Sequence, residues 1–274
     1  MGGVKLTRVT LIHYLKLIYR SVFFIIAAVW YIKEKIGHHE VTLESITSGK
    51  GVIFLRIIWA VFIIEMMFRF IPNKLESPGT QKVFRKNYVP TGKRRHVIQD
   101  NNAAAIAALA WLIPNGLIGA LYLAGIFDQG TMMMFCLGYS ICDLICALFY
   151  CPFQMWLLKN KCCSTCRIYN WDFPMMFTPL FFVPGFYTWS LLLIAIVLLV
   201  RWEVTYWKHP ERFSRNTNAY LKCANCNEKQ CIHKRRIHEI SNGIIPIMDK
   251  PAGGRPAIGK NDIGRPGIGK NSRR

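Results

Sequence analysis

The sequence predicts an all-α protein of the multi-pass helical membrane class, with a cysteine-rich, partly disordered and basic C-terminal tail. The first supporting observation is that 52% of the 274 residues are hydrophobic, with a mean hydropathy of +0.22, and that the apolar residues gather in long runs. A helix needs about 20 apolar residues to cross a hydrocarbon core roughly 30 Å thick. The runs are too long and unbroken for barrel strands, so helices are the remaining way to satisfy the backbone in lipid.

The second observation is a formal net charge of +20. In a soluble protein this charge would suggest nucleic acid, but in a membrane protein it indicates cytosolic basic loops and an anionic lipid surface as partner. We therefore expect a cell-membrane protein in three parts. Residues 1–207 are predicted to form a helical membrane domain. Residues 208–243 are predicted to form a cytosolic Cys-rich metal-binding segment, and residues 244–274 a disordered basic Gly/Pro tail.

Four apolar runs are each predicted to form one membrane span, and they cover residues 9–32, 52–72, 103–127 and 131–158. Lys16 and Arg20 lie inside the first run, so we expect their long side chains to snorkel towards the interface. A polar loop is expected between the first two spans. The loop at residues 73–102 is rich in Lys and Arg, which marks it as cytosolic, and no regular element is expected in it.

Three charged residues interrupt the second predicted span, at Arg56, Glu65 and Arg69. Glu65 and Arg69 are four residues apart and share a helix face, so we expect them to pair. Arg56 and Arg69 lie near opposite ends of the span and are expected to snorkel. The alternative is a transport role for Glu65, because charge inside a span is costly and usually faces the protein interior.

The fourth span combines thiols with a carboxylate. Cys142 and Cys146 share one helix face, and Asp143 lies beside that face. Cys and Met ligands favour ions such as copper(I), so this set is compatible with a soft-metal path. The interpretation we favour is ordinary packing of small Cys side chains, with Asp143 bonded to another helix.

Residues 173–206 pose the main topological question, since about 34 residues are long for one helical span and short for two. Pro174, Pro179 and the turn signal Pro184-Gly185 break the first half. One interpretation is a single kinked span that places the C-terminus outside. The other, slightly favoured by the basic tail, is a segment that enters to mid-depth, turns at Pro184-Gly185 and returns to the same side.

Two Cys-x2-Cys turns flank this segment and indicate a metal site, because zinc takes four Cys or His ligands. The candidate ligands are Cys163, Cys166, Cys223, Cys226, Cys231 and His233. The two turns can make one four-cysteine site if both are cytosolic, or the last four candidates can make a local site within the tail. Structural zinc is the favoured cofactor, with an iron–sulfur cluster or redox thiols as alternatives.

The sequence indicates a class of function but no substrate. No nucleotide motif or Ser-His-Asp-like set is recognisable, which favours a non-enzymatic transport or membrane-assembly role stabilised by the zinc site. The alternative is a membrane-bound redox protein that uses the loop cysteines as an iron–sulfur or dithiol centre, so enzymatic activity stays open. The basic tail is expected to contact anionic lipid, an acidic protein or nucleic acid, and a homo-oligomer is compatible with the sequence.

Overall fold

The structure is a computed structural model of the chain. It describes residues 7–37, 41–49, 51–72, 78–93, 101–159 and 165–222, together with Lys234. Within these ranges the regular elements are helical, and an isolated β-bridge joins Pro90 to Asn218. The predicted all-α class is confirmed for this part of the chain.

Five long and three short α-helices lie in the described ranges. They are α1 (Arg8–Ile36), α2 (Leu43–Ser48), α3 (Val52–Phe70), α4 (Pro78–Val83), α5 (Asn101–Leu123), α6 (Gln129–Leu148), α7 (Asp172–Phe177) and α8 (Phe186–Lys208). Four of them, α1, α5, α6 and α8, are long and apolar enough to cross a membrane. The fifth long helix, α3, has 19 residues and is about 28 Å long, but it contains Arg56, Glu65 and Arg69.

The start of α1 and the end of α6 differ from the boundaries of the predicted spans. α1 is longer than expected and begins after Thr7, whose Oγ1 accepts a hydrogen bond from the backbone N–H of Thr10. α6 ends at Leu148, earlier than expected, and a separate π-helical turn covers Phe153–Leu157. Pro152 lacks the backbone N–H that a continuing helix would need, which separates the two elements.

Two short helices lie where loops were expected. α2 forms because Thr42 and Ser45 make a reciprocal capping box, with Leu43 and Ile46 buried beneath it. α4 lies in the basic loop after α3, so the prediction that this loop has no regular element is wrong. Its last residue, Val83, is buried in the main hydrophobic core. This burial stabilises a helix that the local sequence pattern does not predict.

α1 and α6 pack antiparallel along their length. Tyr31 Oη lies 2.8 Å from Thr131 Oγ1. Farther along, Arg20 Nη1 donates a hydrogen bond of 2.8 Å to the carbonyl oxygen of Ser140. Residue numbers therefore fall along α1 as they rise along α6, and the start of α1 lies at the same end of the bundle as the end of α6.

α3 and α8 run parallel. Trp59 Nε1 donates a hydrogen bond of 2.8 Å to Ser190 Oγ. Where α3 ends, Arg201 Nη1 donates a hydrogen bond of 2.9 Å to the carbonyl oxygen of Phe70. Both helices therefore finish at one end of the bundle.

A cap covers that end and is formed by residues 78–93, which include α4, and by residues 209–222. The Thr91 N–H donates to the Thr217 carbonyl oxygen at 3.0 Å, and the Ala219 N–H donates to the Val89 carbonyl oxygen at 2.8 Å. We call this the basic end, because its cap carries Lys82, Arg85, Lys86, Lys93, Arg212, Arg215 and Lys222.

The proline-broken segment crosses the bundle twice. α7 starts at the basic end, where Arg69 is ion-paired with Asp172, and a short 3₁₀ helix, Thr178–Phe182, continues the first crossing. At the opposite end Gly185 lies against Leu43, so closely that an added Cβ would lie 2.1 Å from Leu43 Cδ2. α8 then returns over 23 residues, about 35 Å.

Both ends of this segment therefore lie at the basic end. Arg167 Nη1 donates to Glu203 Oε1 at 2.6 Å, and Arg215 Nη2 donates to Thr165 Oγ1 at 3.4 Å. This arrangement is the same-side geometry, but the expected turn at mid-depth is wrong, since the first leg reaches the far end. The broken backbone is covered by other helices, as shown by the buried side chains of Phe173, Met176, Phe177, Leu180 and Val183.

The outward faces of the long helices are apolar. α1, α5 and α8 all expose large aliphatic side chains, examples being Leu11, Ile18, Ile25, Val29, Leu109, Ile113, Leu117, Leu193, Val197 and Val200. Apolar surface of this extent on several neighbouring helices suits contact with lipid.

Candidate functional site in a charged cavity

A cavity of about 340 Å³ opens among the helices near the basic end. α1, α3, α5, α6 and the chain from the end of α6 into α7 form its wall. Six lysine, arginine, aspartate and glutamate side chains line it, namely Lys16, Arg20, Glu65, Arg69, Asp143 and Asp172. Charge inside a bundle of apolar helices is costly and typically marks a functional site, so this cavity is the first candidate.

Glu65 is the centre of one charge cluster in the wall. Its Oε2 is ion-paired with Arg20 Nη2, and its Oε1 accepts a hydrogen bond from Tyr19 Oη. Lys16 Nζ lies 3.7 Å from the same Oε1. The Arg20 side chain is only 3% exposed, and its guanidinium also lies 5.2 Å from the centre of the Phe62 ring. Charges buried this deeply need such partners, because desolvation costs several kcal/mol per ion.

This cluster corrects two sequence predictions. A pair between Glu65 and Arg69 was expected, and the structure shows Glu65 ion-paired with Arg20 of α1 and Arg69 ion-paired with Asp172. The expectation that Arg20 snorkels is also wrong, since its guanidinium is enclosed between helices. The spacing of Glu65 and Arg69 along α3 allows them to pair. The guanidinium of Arg20 on the neighbouring helix is more deeply buried and makes a charge-assisted contact with the Glu65 carboxylate.

Arg20 also joins α1 to α6. Its Nη1 donates to the carbonyl oxygen of Ser140 and lies 3.7 Å from Asp143 Oδ2. Asp143 therefore contacts another helix, as the favoured interpretation of the fourth span expected. One guanidinium thus connects carboxylates on two different helices.

Arg69 belongs to a second cluster in the cavity wall, at the basic end. Its guanidinium is ion-paired with Asp172, and its Nη1 donates to Thr80 Oγ1 at 3.2 Å. The Thr80 hydroxyl donates in turn to Asn170 Oδ1 at 2.7 Å. The expectation that Arg69 snorkels is wrong, because this network holds the side chain inside and ties α3 to α4 and α7. Arg56 is exposed and hydrogen-bonded to Tyr187 Oη at 3.1 Å.

The charged side chains of the cavity wall differ in their solvent-exposed fraction. Those of Arg20 and Glu65 are 3% and 7% exposed, and those of Arg69 and Asp172 are 9% and 11% exposed. Lys16 and Asp143 are more open, at 20% and 29%. The two buried pairs therefore build the wall, while one ammonium and one carboxylate offer accessible surface of opposite sign.

Thiols occupy another part of the same wall, contributed by Cys142, Cys146, Cys151 and Cys166. Cys142 and Cys146 share a helix face, as predicted. The described cysteines carry free thiols. No group of three or more His, Cys, Asp or Glu side chains able to hold a metal ion lies in the described ranges.

Cys151 lies beyond the end of α6 in surroundings that favour its thiolate. The hydrogen bond from Cys146 lowers the pKa of Cys151 to about 6, although burial opposes this by raising it. Backbone N–H groups of Gln154 and Phe153 and the charge of Lys234 act in the same direction as Cys146. Lys234 also donates to the Cys146 carbonyl oxygen.

The predicted metal ligands fall mostly outside the described residues. This is the case for Cys163, Cys223, Cys226, Cys231 and His233. Cys166 is described, and it is half-buried at the basic end against the small cluster formed by Ala104, Ala107 and Ile168.

Sequence reasoning missed the partners that matter most in this cavity. The sequence predicts that Lys16 and Arg20 reach the interface, and it gives no indication that Asp172 belongs to this site. Cys151 was not connected with Cys146. A basic residue twelve positions into an apolar helix is too deep for easy snorkelling, and that depth was the one available signal for Arg20.

The chain was compared with known proteins at the level of family, sequence and structure. No protein-family model matches it, and no curated protein or solved structure is significantly similar to it.

Proposed function

We propose that this chain is a multi-pass protein of the cell membrane that binds and transports a small polar solute, without enzymatic chemistry, in its charged cavity. The observation that carries the proposal is the presence of accessible Lys16 and Asp143 beside two buried ion pairs, among helices of membrane length. Ionisable groups are placed inside such bundles at a free-energy cost, and solute pathways are their best-attested use.

The same proposal orients the protein with its basic end in the cytosol. Lys and Arg dominate the cap there, whereas Asp128 and α2 lie at the opposite end. Short loops retained in the cytosol carry such an excess of positive charge. With this orientation the cavity lies in the cytosolic half of the bundle.

The charges in the wall favour a zwitterionic solute such as an amino acid. The Lys16 ammonium suits a carboxylate, and the Asp143 carboxylate suits an ammonium group. A cavity of about 340 Å³ accommodates a solute of that size. A solute with a single charge would contact only one of the two accessible side chains and would lack the second charge-assisted contact.

Ligand-dependent thermal stability of the purified protein tests this proposal. Individual amino acids should raise the unfolding temperature, while acetate and ethylamine, which each carry one of the two charges, should not. The variants Asp143→Asn and Lys16→Gln should lose the response. Lys33→Gln and Glu34→Gln on the same bundle, outside the cavity, are the matched controls and should keep it. The absence of any response to amino acids in the wild-type protein would refute the proposed solute class.

The predicted zinc site is retained as part of this proposal. Cys166 and the end of the described tail at Lys222, the residue before Cys223, both lie at the basic end, which supports a site shared by Cys163, Cys166, Cys223 and Cys226. The same placement is equally compatible with the alternative local site, in which Cys231 and His233 join Cys223 and Cys226. Metal analysis should find one zinc per chain in the wild type and a loss in Cys226→Ser, with Cys136→Ser as control. Metal-free protein with intact thiols would contradict the zinc site.

The alternative is a membrane redox protein that uses the loop cysteines as an iron–sulfur or dithiol centre. This alternative is supported by the four cysteines that line one cavity. A broad visible absorbance of the purified protein would support the iron–sulfur form. The proposed contacts of residues 244–274 with anionic lipid, an acidic protein or nucleic acid lie outside the described residues, and self-association is a separate proposal that light scattering can test.

A further inference from the structure

A second cavity, of about 100 Å³, lies among α1, α3, α6 and α8 in the half of the bundle opposite the basic end. Its wall is almost wholly apolar and is built mainly by aromatic and aliphatic side chains, among them Trp30, Phe54, Ile58, Trp59 and Leu191. A water molecule needs several polar partners to stay in a cavity, and this wall offers very few. The cavity therefore suits an apolar occupant, and neither the transport proposal nor the zinc site uses it.

Tyr187 connects this apolar cavity to an exposed positive charge. The Tyr187 side chain is part of the wall, and its Oη accepts a hydrogen bond of 3.1 Å from Arg56 Nε. Arg56 is in the second turn of α3, about 6 Å from the start of that helix at Val52. Within the described ranges Arg56 makes no ion pair. Its charge is therefore available at the edge of the cavity.

The surface around Arg56 is otherwise apolar. Ile53 and Ile57 share its helix face and are 66% and 48% exposed, which shows that this face points away from the bundle. A positive charge on such a face is costly in hydrocarbon unless it reaches an anion. The Trp59 ring packs against Phe186 and Tyr187, with centroids 6.0 and 5.9 Å away, and such aromatic groups are typical of the membrane interface. Arg56 is thus placed at the level of lipid headgroups.

We propose that Arg56 and this cavity form a binding site for one membrane phospholipid. The lipid phosphate accepts hydrogen bonds from the Arg56 guanidinium, whose planar fork matches phosphate oxygens. Part of one acyl chain fills the cavity and supplies the van der Waals contacts that an empty space would lack. This inference uses the membrane placement of the helices but not the transport of a solute.

Lipid binding to the purified full-length protein tests the site. Native mass spectrometry in detergent should show one phosphatidylglycerol retained per wild-type chain. Diacylglycerol with the same acyl chains lacks the phosphate, and glycerol phosphate lacks the chains, so each should bind at least about tenfold more weakly. This comparison needs no variant and does not depend on variant folding.

Variants separate the two halves of the site. Arg56→Gln should weaken phosphatidylglycerol binding about tenfold, because a charge-assisted contact is lost. Lys33→Gln removes an exposed cation near the same end of the bundle, outside the cavity, and should bind the lipid as the wild type does. Equal binding in the wild type and in Arg56→Gln would overturn the proposal.

The cavity half is tested by filling it. Ala27 lines the cavity, so Ala27→Leu should weaken phosphatidylglycerol binding while leaving Arg56 intact. Ala28→Leu, at the next position of α1 and outside the wall, is the matched control and should bind normally. Asp143→Asn should also bind normally, so a failure of solute transport is distinguishable from a failure of this site. Diacylglycerol binding as tight as that of phosphatidylglycerol, or full binding in Ala27→Leu, would contradict the site.

Discussion

Arg20 of α1 is ion-paired with Glu65 of α3 inside the helix bundle, where both side chains are less than a tenth exposed. The same guanidinium donates to the Ser140 carbonyl oxygen of α6. Three helices that are far apart in the sequence are therefore joined at one buried point. The two more accessible charges of the cavity, Lys16 and Asp143, are the outer members of this network.

Removal of one partner of this pair should destabilise the fold strongly. Arg20→Met leaves the Glu65 carboxylate buried without its main partner, and the expected loss is about 3–5 kcal/mol of unfolding free energy. Reversible denaturation of the protein in mixed micelles measures this change. Lys33→Gln, an exposed position on the same helix, is the control and should change stability by less than about 0.5 kcal/mol.

The double variant Arg20→Met with Glu65→Leu separates the pair's net contribution from the cost of an orphaned charge. Removing both charges should recover most of the stability lost in the single variant, because a well-packed apolar pair is often as stable as a buried ion pair. If the double variant were as unstable as the sum of the two single variants, the two charges would not interact as described.

Gly119 should be intolerant of even a methyl group. An added Cβ would lie 2.1 Å from Cζ of the Phe182 ring, which packs the first leg of the broken segment against α5. Gly119→Ala is expected to cost about 1–3 kcal/mol through overpacking. Thermal unfolding in detergent is a suitable measurement.

Gly116 provides a matched control one turn earlier on α5. A Cβ there meets no other atom within 4 Å, so Gly116→Ala should be neutral or stabilise the protein by up to about 1 kcal/mol through helix propensity. Equal effects at the two positions would argue against the packing of Phe182 on this face of α5.

Asp128 should make the stability depend on pH at the acidic end. Burial raises the pKa of Asp128, but the hydrogen bonds from Lys35 and Thr131 outweigh it and hold the pKa below its ordinary value of 3.8. A depressed folded-state pKa contributes stability that is fully present above the unfolded value and is lost as the pH falls through the folded value. The effect should be at most about 1 kcal/mol, because Lys35 is half-exposed.

Asp128→Asn isolates the charge, since asparagine caps a helix as well as aspartate does. The stability difference between wild type and this variant should stay constant from about pH 7 to pH 5 and shrink below about pH 4. A difference that persisted unchanged at pH 3 would show that the Lys35 ion pair contributes nothing.

The sequence predicts the long helices because their signal is local. Each apolar run is long enough to be recognised as a helix without knowledge of the neighbouring helices. Charge in the loops indicates which helix ends lie on the same side. The helix ends were less predictable. α2 depends on a capping box that was not recognised, and α4 depends on burial of Val83 against distant helices.

The site was harder to predict because its contacts are between helices. The spacing of Glu65 and Arg69 is ideal for a pair on one helix, yet each side chain has a partner elsewhere, Arg20 and Asp172. Sequence spacing determines which side chains can meet within a helix. It contains no information on which neighbour presents a better-placed charge, and that is decided by packing.

Uptake of radiolabelled amino acids into proteoliposomes is the most direct test of the charged cavity as a transport site. The wild-type protein should accumulate label above protein-free vesicles. Asp143→Asn and Lys16→Gln should abolish the uptake, and Lys33→Gln and Glu34→Gln should retain it. Uptake no greater than in protein-free vesicles, or uptake unchanged in both cavity variants, would contradict the assignment of this cavity to solute transport.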